Sequence, residues 1–327
     1  MVSLASHAAV LGAGPDALLE VARIVATEGR MPDLAITEAA RAAAPALVEV
    51  SPDKLRGGIE QVIMGRSLEL GLQWMHDSGM LAAVLPELDA TVDFSQEAGR
   101  KHKDVWEHTK QVVRQSVPKP AVRWAALLHD IGKVPTRVML PDGRVTFHRH
   151  AEIGARMFDP IAKRLGFERG GRQKVRFLIL NHLRANAYEA SWTDAAVRRF
   201  DHEMGDGLDE LLDLSRADVT SRRPGRRQEA VANIHALKER ILGLRELDAK
   251  VPPLPPGLGN AIMEAFGLPP SRQVGDLRKL CQDAVERGDL EERRDSPYYI
   301  EYLRGRGADL GRDVAPHEGS PPGPRET

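Results

Sequence analysis

Apolar residues recur at intervals of three and four along nearly the whole chain, and this spacing limits the fold more than any other feature. It puts one greasy stripe on each segment, which a helix can bury and a strand cannot. Helix starts are marked to match. Ser51-Pro52-Asp53 supplies an N-cap, a proline at the first helical position and an early acid, ahead of Leu55, Ile59, Val62 and Ile63. Thr193-Asp194 opens another helix, with Val197, Phe200 and Met204 on one stripe. The expectation is an all-α protein. Only VMLPDGRVTF, residues 138–147, departs from the pattern: a Pro-Asp-Gly turn between apolar residues reads equally as a small hairpin or a loop.

The chain has 327 residues, 42% hydrophobic and 28% charged, which suits a globular protein with a sizeable core. Cys281 is the sole cysteine, so no disulfide forms within the chain, as expected of a reducing, cytoplasmic setting. The N-terminus lacks a basic segment followed by an apolar run, so no signal peptide is expected. No stretch reaches the ~18 apolar residues of a membrane span, and no membrane partner is expected. The net charge of −1 carries no global basic excess, so contact with nucleic acid must come from local patches. Composition and breaks divide the chain into a helical N-terminal region (1–95), a histidine-bearing region (96–228), a helical C-terminal region (229–303) and a Gly/Pro-rich, charged tail (304–327) expected to be disordered. The C-terminal region contains the stiff linker Val251-Pro252-Pro253-Leu254-Pro255-Pro256.

Chemistry concentrates in the second region. Asp104 can cap a helix through VWEHTKQVVRQ, on which Val105, His108, Val112 and Ser116 share the inward side. His129 and Asp130 end a very apolar helix; neighbours on a helix lie about 100° apart, close enough to reach one ion. Lys133 follows one turn later. His182 ends the stripe Val175, Leu178, Ile179, and Asp218 ends the stripe Leu211, Leu214. Singly, each histidine reads as a core residue with a hydrogen bond, and His150 as a loop or surface residue. An inward aspartate is costlier, because an unpaired buried carboxylate is unfavourable. A shared divalent cation resolves these burial costs together. Mixed imidazole and carboxylate donors suit Mn, Ni, Co, Fe or Zn better than Ca, and Mg where carboxylates and water dominate. The lack of a nearby cysteine argues against a structural zinc. An open site of this kind activates water and polarises a phosphoryl oxygen, with Lys133 offsetting phosphate charge. Arg222, Arg223, Arg226 and Arg227 follow Asp218 and read either as a phosphate or RNA clamp or as a solvated basic turn, with Lys101 and Lys103 near the same field.

The strings WEHT (106–109), LLHDIGK (127–133), FHRHAEIGA (147–155), NHLR (181–184) and RADVTS (216–221) resemble the HD superfamily of metal phosphohydrolases. More closely, they resemble the HD domain of bacterial tRNA nucleotidyltransferases (CCA-adding enzymes) and related poly(A) polymerases. Residues 38–63 and 68–89 are similar to the helical neck and body of those enzymes, and 259–290 to their C-terminal region. The resemblance implies an HD-domain helical core flanked by helical regions. It implies His108, His129, Asp130 and Asp218 as core metal ligands, and His150 and His182 as further ligands of a site with one or two ions. His148 is an alternative to His150. Asp130 and Lys133 are the residues expected to act directly in catalysis. The Gly-Ser turn and paired aspartates of a nucleotidyltransferase head do not occur before residue 30, so nucleotide addition is not expected. The expected activity is metal-dependent hydrolysis of phosphoesters in nucleotides or RNA ends, 2′,3′-cyclic phosphates and tRNA among the candidates. The alternative is a tRNA- or RNA-binding accessory protein with a structural or residual metal site, or a subunit serving a separately encoded head.

Overall fold

A computed structural model describes residues 14–94, 104–221, 223–250 and 252–306. The chain is all-α, with one two-stranded hairpin among the described residues. The described residues fall into two compact units: those within 1–190 and 204–238, and those within 191–203 and 239–306.

The first unit begins with α1 (Ala17–Glu28), α2 (Leu34–Ala43), α3 (Pro52–Ile63), α4 (Leu68–Asp77), α5 (Met80–Val84) and α6 (Pro86–Asp89). Asp33 caps α2 by accepting from the amide of Ile36, and Pro52 opens α3 where the expected start lies. Helices α1 and α4 pack closely because Gly71 has no side chain: a Cβ there would sit 2.6 Å from that of Ala26 and 2.9 Å from Val62 Cγ1. Leu18, Val25, Ile59, Leu72, Trp74 and Met75 fill the core between them. Each such aliphatic side chain contributes about 1.5–3 kcal/mol on burial.

Around α8 (Pro120–Leu128) pack α3, α7 (Val105–Gln115), α11 (Arg169–Asn181) and α13 (Leu208–Asp218). Its sequence explains that central place. Val122, Trp124, Ala125, Ala126, Leu127 and Leu128 are all buried, so the helix is apolar nearly all round. Arg123, also buried, donates to the carbonyl of Ile63 at the end of α3 and, at 3.3 Å, to that of Ser116 after α7. It thereby satisfies two carbonyls that helix ends leave open. After α8 come α9 (Lys133–Thr136), strands β1 (Val138–Met139) and β2 (Val145–Thr146), and α10 (His150–Arg164), which packs on α11. The strands pair antiparallel, Val138 opposite Thr146, so the Pro-Asp-Gly segment is a hairpin; Gly143 takes the left-handed conformation at its tip.

The second unit holds most of α12 (Asp194–Met204), the end of α14 (Pro224–Lys250), and α15 (Leu258–Phe266), α16 (Arg272–Arg287) and α17 (Ser296–Gly305). Leu258, Ile262, Leu277, Cys281, Tyr299 and Leu303 form its core, with Cys281 fully buried. Burial pushes the Cys281 thiol up to about 11.

Three expectations need correction. The boundary expected between 228 and 229 falls inside α14, because Pro224 at the first helical position starts that helix earlier. Arg304 and Gly305, assigned to a disordered tail, belong to α17; the remainder from 307 lies outside the described residues. Lastly, α8 ends at Leu128, so His129 is its cap and Asp130 lies in the following turn rather than on the helix.

Candidate metal centre

Three helix ends and two helix starts deliver the site. Asp104 caps α7 through a 2.6 Å bond from the amide of Trp106, and fixes the rotation that turns His108 inward. His129 caps α8, His182 caps α11, Asp218 ends α13, and His150 opens α10. Charged groups at helix ends remain near the core without breaking an apolar stripe. His129, Asp130 and His182 are fully buried, whereas His108 and Asp218 keep 15% and 13% of their side-chain surface, so the site opens on their side.

The six residues form two adjoining groups, His108–His129–Asp218 and Asp130–His150–His182, each with its donor atoms within 4.8 Å of one another. His108 Nε2 lies 3.0 Å from Asp218 Oδ1 and 3.4 Å from Asp130 Oδ2; His129 Nε2 lies 3.3 Å from that same Asp130 oxygen. The other Asp130 oxygen, Oδ1, is 3.5 Å from His150 Nε2. Asp130 thus faces one group with each oxygen.

The outer nitrogens show what the inner ones can do. Nδ1 of His129, His150 and His182 lies 2.8, 2.9 and 2.7 Å from the carbonyls of Ala126, Phe147 and Ile179. A carbonyl only accepts, so each Nδ1 carries a proton and donates it. In a neutral ring the lone pair then sits on Nε2, facing the centre. Yet Nε2 of His150 is 3.3 Å from Nε2 of His182, and Nε2 of His108 is 3.2 Å from that of His129. Neutral His150 and His182 face lone pair to lone pair, a gap that a cation would bridge, whereas a proton can join His108 and His129.

The ionisation follows. Burial would lower His129, but the Asp130 and Asp218 carboxylates raise it to about 10. Burial and the neighbouring His129 charge lower His182 to about 4, and burial lowers His150. Burial would raise Asp130, but His129 and Lys133 hold it well below the usual carboxylate range. The imidazoles of His108 and His129 overcome burial in the same way at Asp218.

Lys133 Nζ donates to Asp130 Oδ2 at 2.7 Å and lies 5.7 Å from the Phe147 ring centre. Arg223, Arg226 and Arg227 are exposed; Arg227 donates to Gln115 Oε1 at 3.0 Å, at the end of the His108 helix. Arg222, Lys101 and Lys103 lie outside the described residues. His148 is exposed, and the inward partner of His182 is His150.

Two contributors were missed in the sequence. Thr220 Oγ1 lies 3.0 Å from His108 Nδ1; its place two residues after Asp218 was the only signal. Gly132 lets the turn after Asp130 press on α10: a Cβ there would overlap the His150 carbonyl and come within 2.6 Å of the Gly154 amide nitrogen. A glycine directly before Lys133 in a helix-rich stretch was its signal.

The donor set fits a divalent cation. Four imidazoles and two carboxylates converge, no thiolate is among them, and the outer nitrogens are tied down as in metal-ligating histidines.

Comparison with known proteins agrees with this geometry. The HD-domain profile matches residues 95–223. An A-adding tRNA nucleotidyltransferase from Deinococcus radiodurans is 28% identical over 76% of this chain and 58% of its own length. Multifunctional CCA proteins from Pseudomonas paraeruginosa and Alkalilimnicola ehrlichii are 29% and 34% identical over 57% and 34% of this chain, and 42% and 27% of their own. The chain therefore spans about three fifths or less of the length of these curated relatives. Residues 95–223 are thus similar to the HD domain, and 76% of the chain is similar to an A-adding tRNA nucleotidyltransferase.

Proposed function

We propose that this chain is a metal-dependent phosphohydrolase acting on phosphoesters of nucleotides or RNA ends. The observation that carries the reading is the convergence of ligand atoms: Nε2 near Nε2 at 3.2 and 3.3 Å, with Asp130 and Asp218 oxygens beside them. His108, His129 and Asp218 would hold one ion, His150 and His182 a second, and Asp130 would face both. A divalent cation held there supplies an acidified water and Lewis-acid polarisation of a phosphoryl oxygen.

The chain's own groups do the rest. Backbone carbonyls take the Nδ1 protons of His129, His150 and His182 and aim their Nε2 atoms inward. Burial of His129, Asp130 and His182 keeps bulk water from the floor of the site. Lys133, beside Asp130, offsets negative charge on the phosphate. Arg222, Arg223, Arg226 and Arg227, which follow Asp218 in sequence, are the proposed contacts for an RNA or nucleotide backbone. The tRNA-related names of the relatives make RNA ends the first substrates to try.

Metal analysis after loading with Mn, Co or Ni, paired with turnover of bis(p-nitrophenyl) phosphate and 2′,3′-cyclic AMP, tests the reading. Wild-type chain should retain metal and turn over at least one ester. Asp130→Ala should lower kcat at least a hundredfold, the scale of losing a group that orients the reacting water. Wild-type rates from the Asp130→Ala protein would overturn the site.

A further inference from the structure

Three non-glycine residues among the described ones have positive φ: Asp93, Arg149 and Arg293. Aspartate visits this region with little penalty. Arg293 is held there by its side chain, with Asp248 at 3.3 Å and Glu292 at 3.6 Å, while its amide donates to the Pro253 carbonyl. Arg149 has neither excuse. Its φ is 61° and ψ 26°, its side chain is exposed, and among the described residues nothing pairs with it.

The conformation itself has a purpose. The left-handed turn at 149 swings the chain from β2 into α10, so that both the amide and Nδ1 of His150 reach the Phe147 carbonyl, at 3.2 and 2.9 Å. That turn aims His150 at His182. Glycine would make it without strain. An arginine that strains the backbone, helps no neighbour, and directly precedes an inward histidine of the site is best explained by a ligand outside the chain.

We propose that Arg149 is a substrate-contacting residue whose guanidinium binds a phosphate oxygen of the nucleotide or RNA phosphoester. The inference rests on the phosphohydrolase reading, which supplies the anion. Guanidinium suits that partner: it is always charged and presents paired donors to phosphate oxygens. Arg149 directly precedes His150, a member of the Asp130–His150–His182 group.

The test separates strain from recognition. Arg149→Gly removes the guanidinium and relieves the backbone; Arg149→Lys keeps a charge but loses the fork. Binding of AMP to the Mn-loaded chain is measured by calorimetry, KM for 2′,3′-cyclic AMP by turnover, and thermal stability by scanning. The expected result is an equal or higher Tm for Arg149→Gly, with AMP Kd and KM raised about tenfold, the order of one charge-assisted contact, and a smaller rise for Arg149→Lys. A higher Tm with unchanged Kd and KM would overturn the assignment and leave the hydrolase reading standing. Arg149-dependent AMP binding without turnover would keep the assignment and sink the hydrolase reading. A wild-type chain that neither binds AMP nor hydrolyses the ester would sink both.

Discussion

Of the four inward imidazoles, His129 is the one whose charge must change when a cation arrives. Without metal it is an imidazolium held up to about 10 by Asp130 and Asp218; a metal ligand must be neutral. Metal uptake at pH 8 should therefore release about one proton per chain. Calorimetry in buffers of different ionisation enthalpy reads this directly, and an uptake heat independent of buffer would contradict it. The same network sets the pH profile of the metal-free chain. The His129 share of stability is complete below its ordinary 6.5 and is lost as pH rises through about 10. The Asp130 and Asp218 share is complete above their ordinary 3.8 and is lost as pH falls through their lowered values. Metal-free protein should thus be most stable near neutrality. Urea midpoints from pH 3 to 11 test this, and a monotonic rise across that range would count against it. At this scale His108, His129, Asp130, His182 and Asp218 were legible in the sequence because helical spacing placed them on inward faces or at stripe ends; His150 was not, since spacing alone read it as a loop residue. Thr220 was not, because a hydroxyl's partner depends on a contact 112 positions away.

At the scale of elements, the site depends on how closely the turn after α8 meets α10. Gly132 sets that distance. Gly132→Ala would force His150 and its helix outward. The expected cost is about 1–3 kcal/mol, as for overpacking elsewhere, and metal content should fall because the His150 group opens first. Equilibrium unfolding with metal analysis checks both; undiminished stoichiometry would show that α10 accommodates the methyl. The sequence made the helices legible through caps and periodicity, Asp104 and Pro52 above all. It left the hairpin undecided, since a two-residue strand pair is too short for alternation to register.

For the whole molecule, a cation that binds only the folded first unit should stabilise it by mass action, by about 4 kcal/mol at a thousandfold excess over Kd. Adding Mn should raise Tm by several degrees and a chelator should reverse it. Asp130→Ala should show no such response; an equal shift in that variant would mean the ion binds elsewhere. Among the described residues no helix is long and apolar enough to cross a membrane.

The amino-acid order alone determined the helical class, the starts of α3, α7 and α12, and the residue types able to bind a cation, because those depend on neighbours within a few positions. The tertiary structure decided which side chains meet. It joined residues 108, 129, 130, 150, 182 and 218 by packing α7, α11 and α13 around α8, and placed a strained backbone at Arg149. Spacing cannot encode such meetings, since each rests on the angle and distance between helices, which the whole core sets at once.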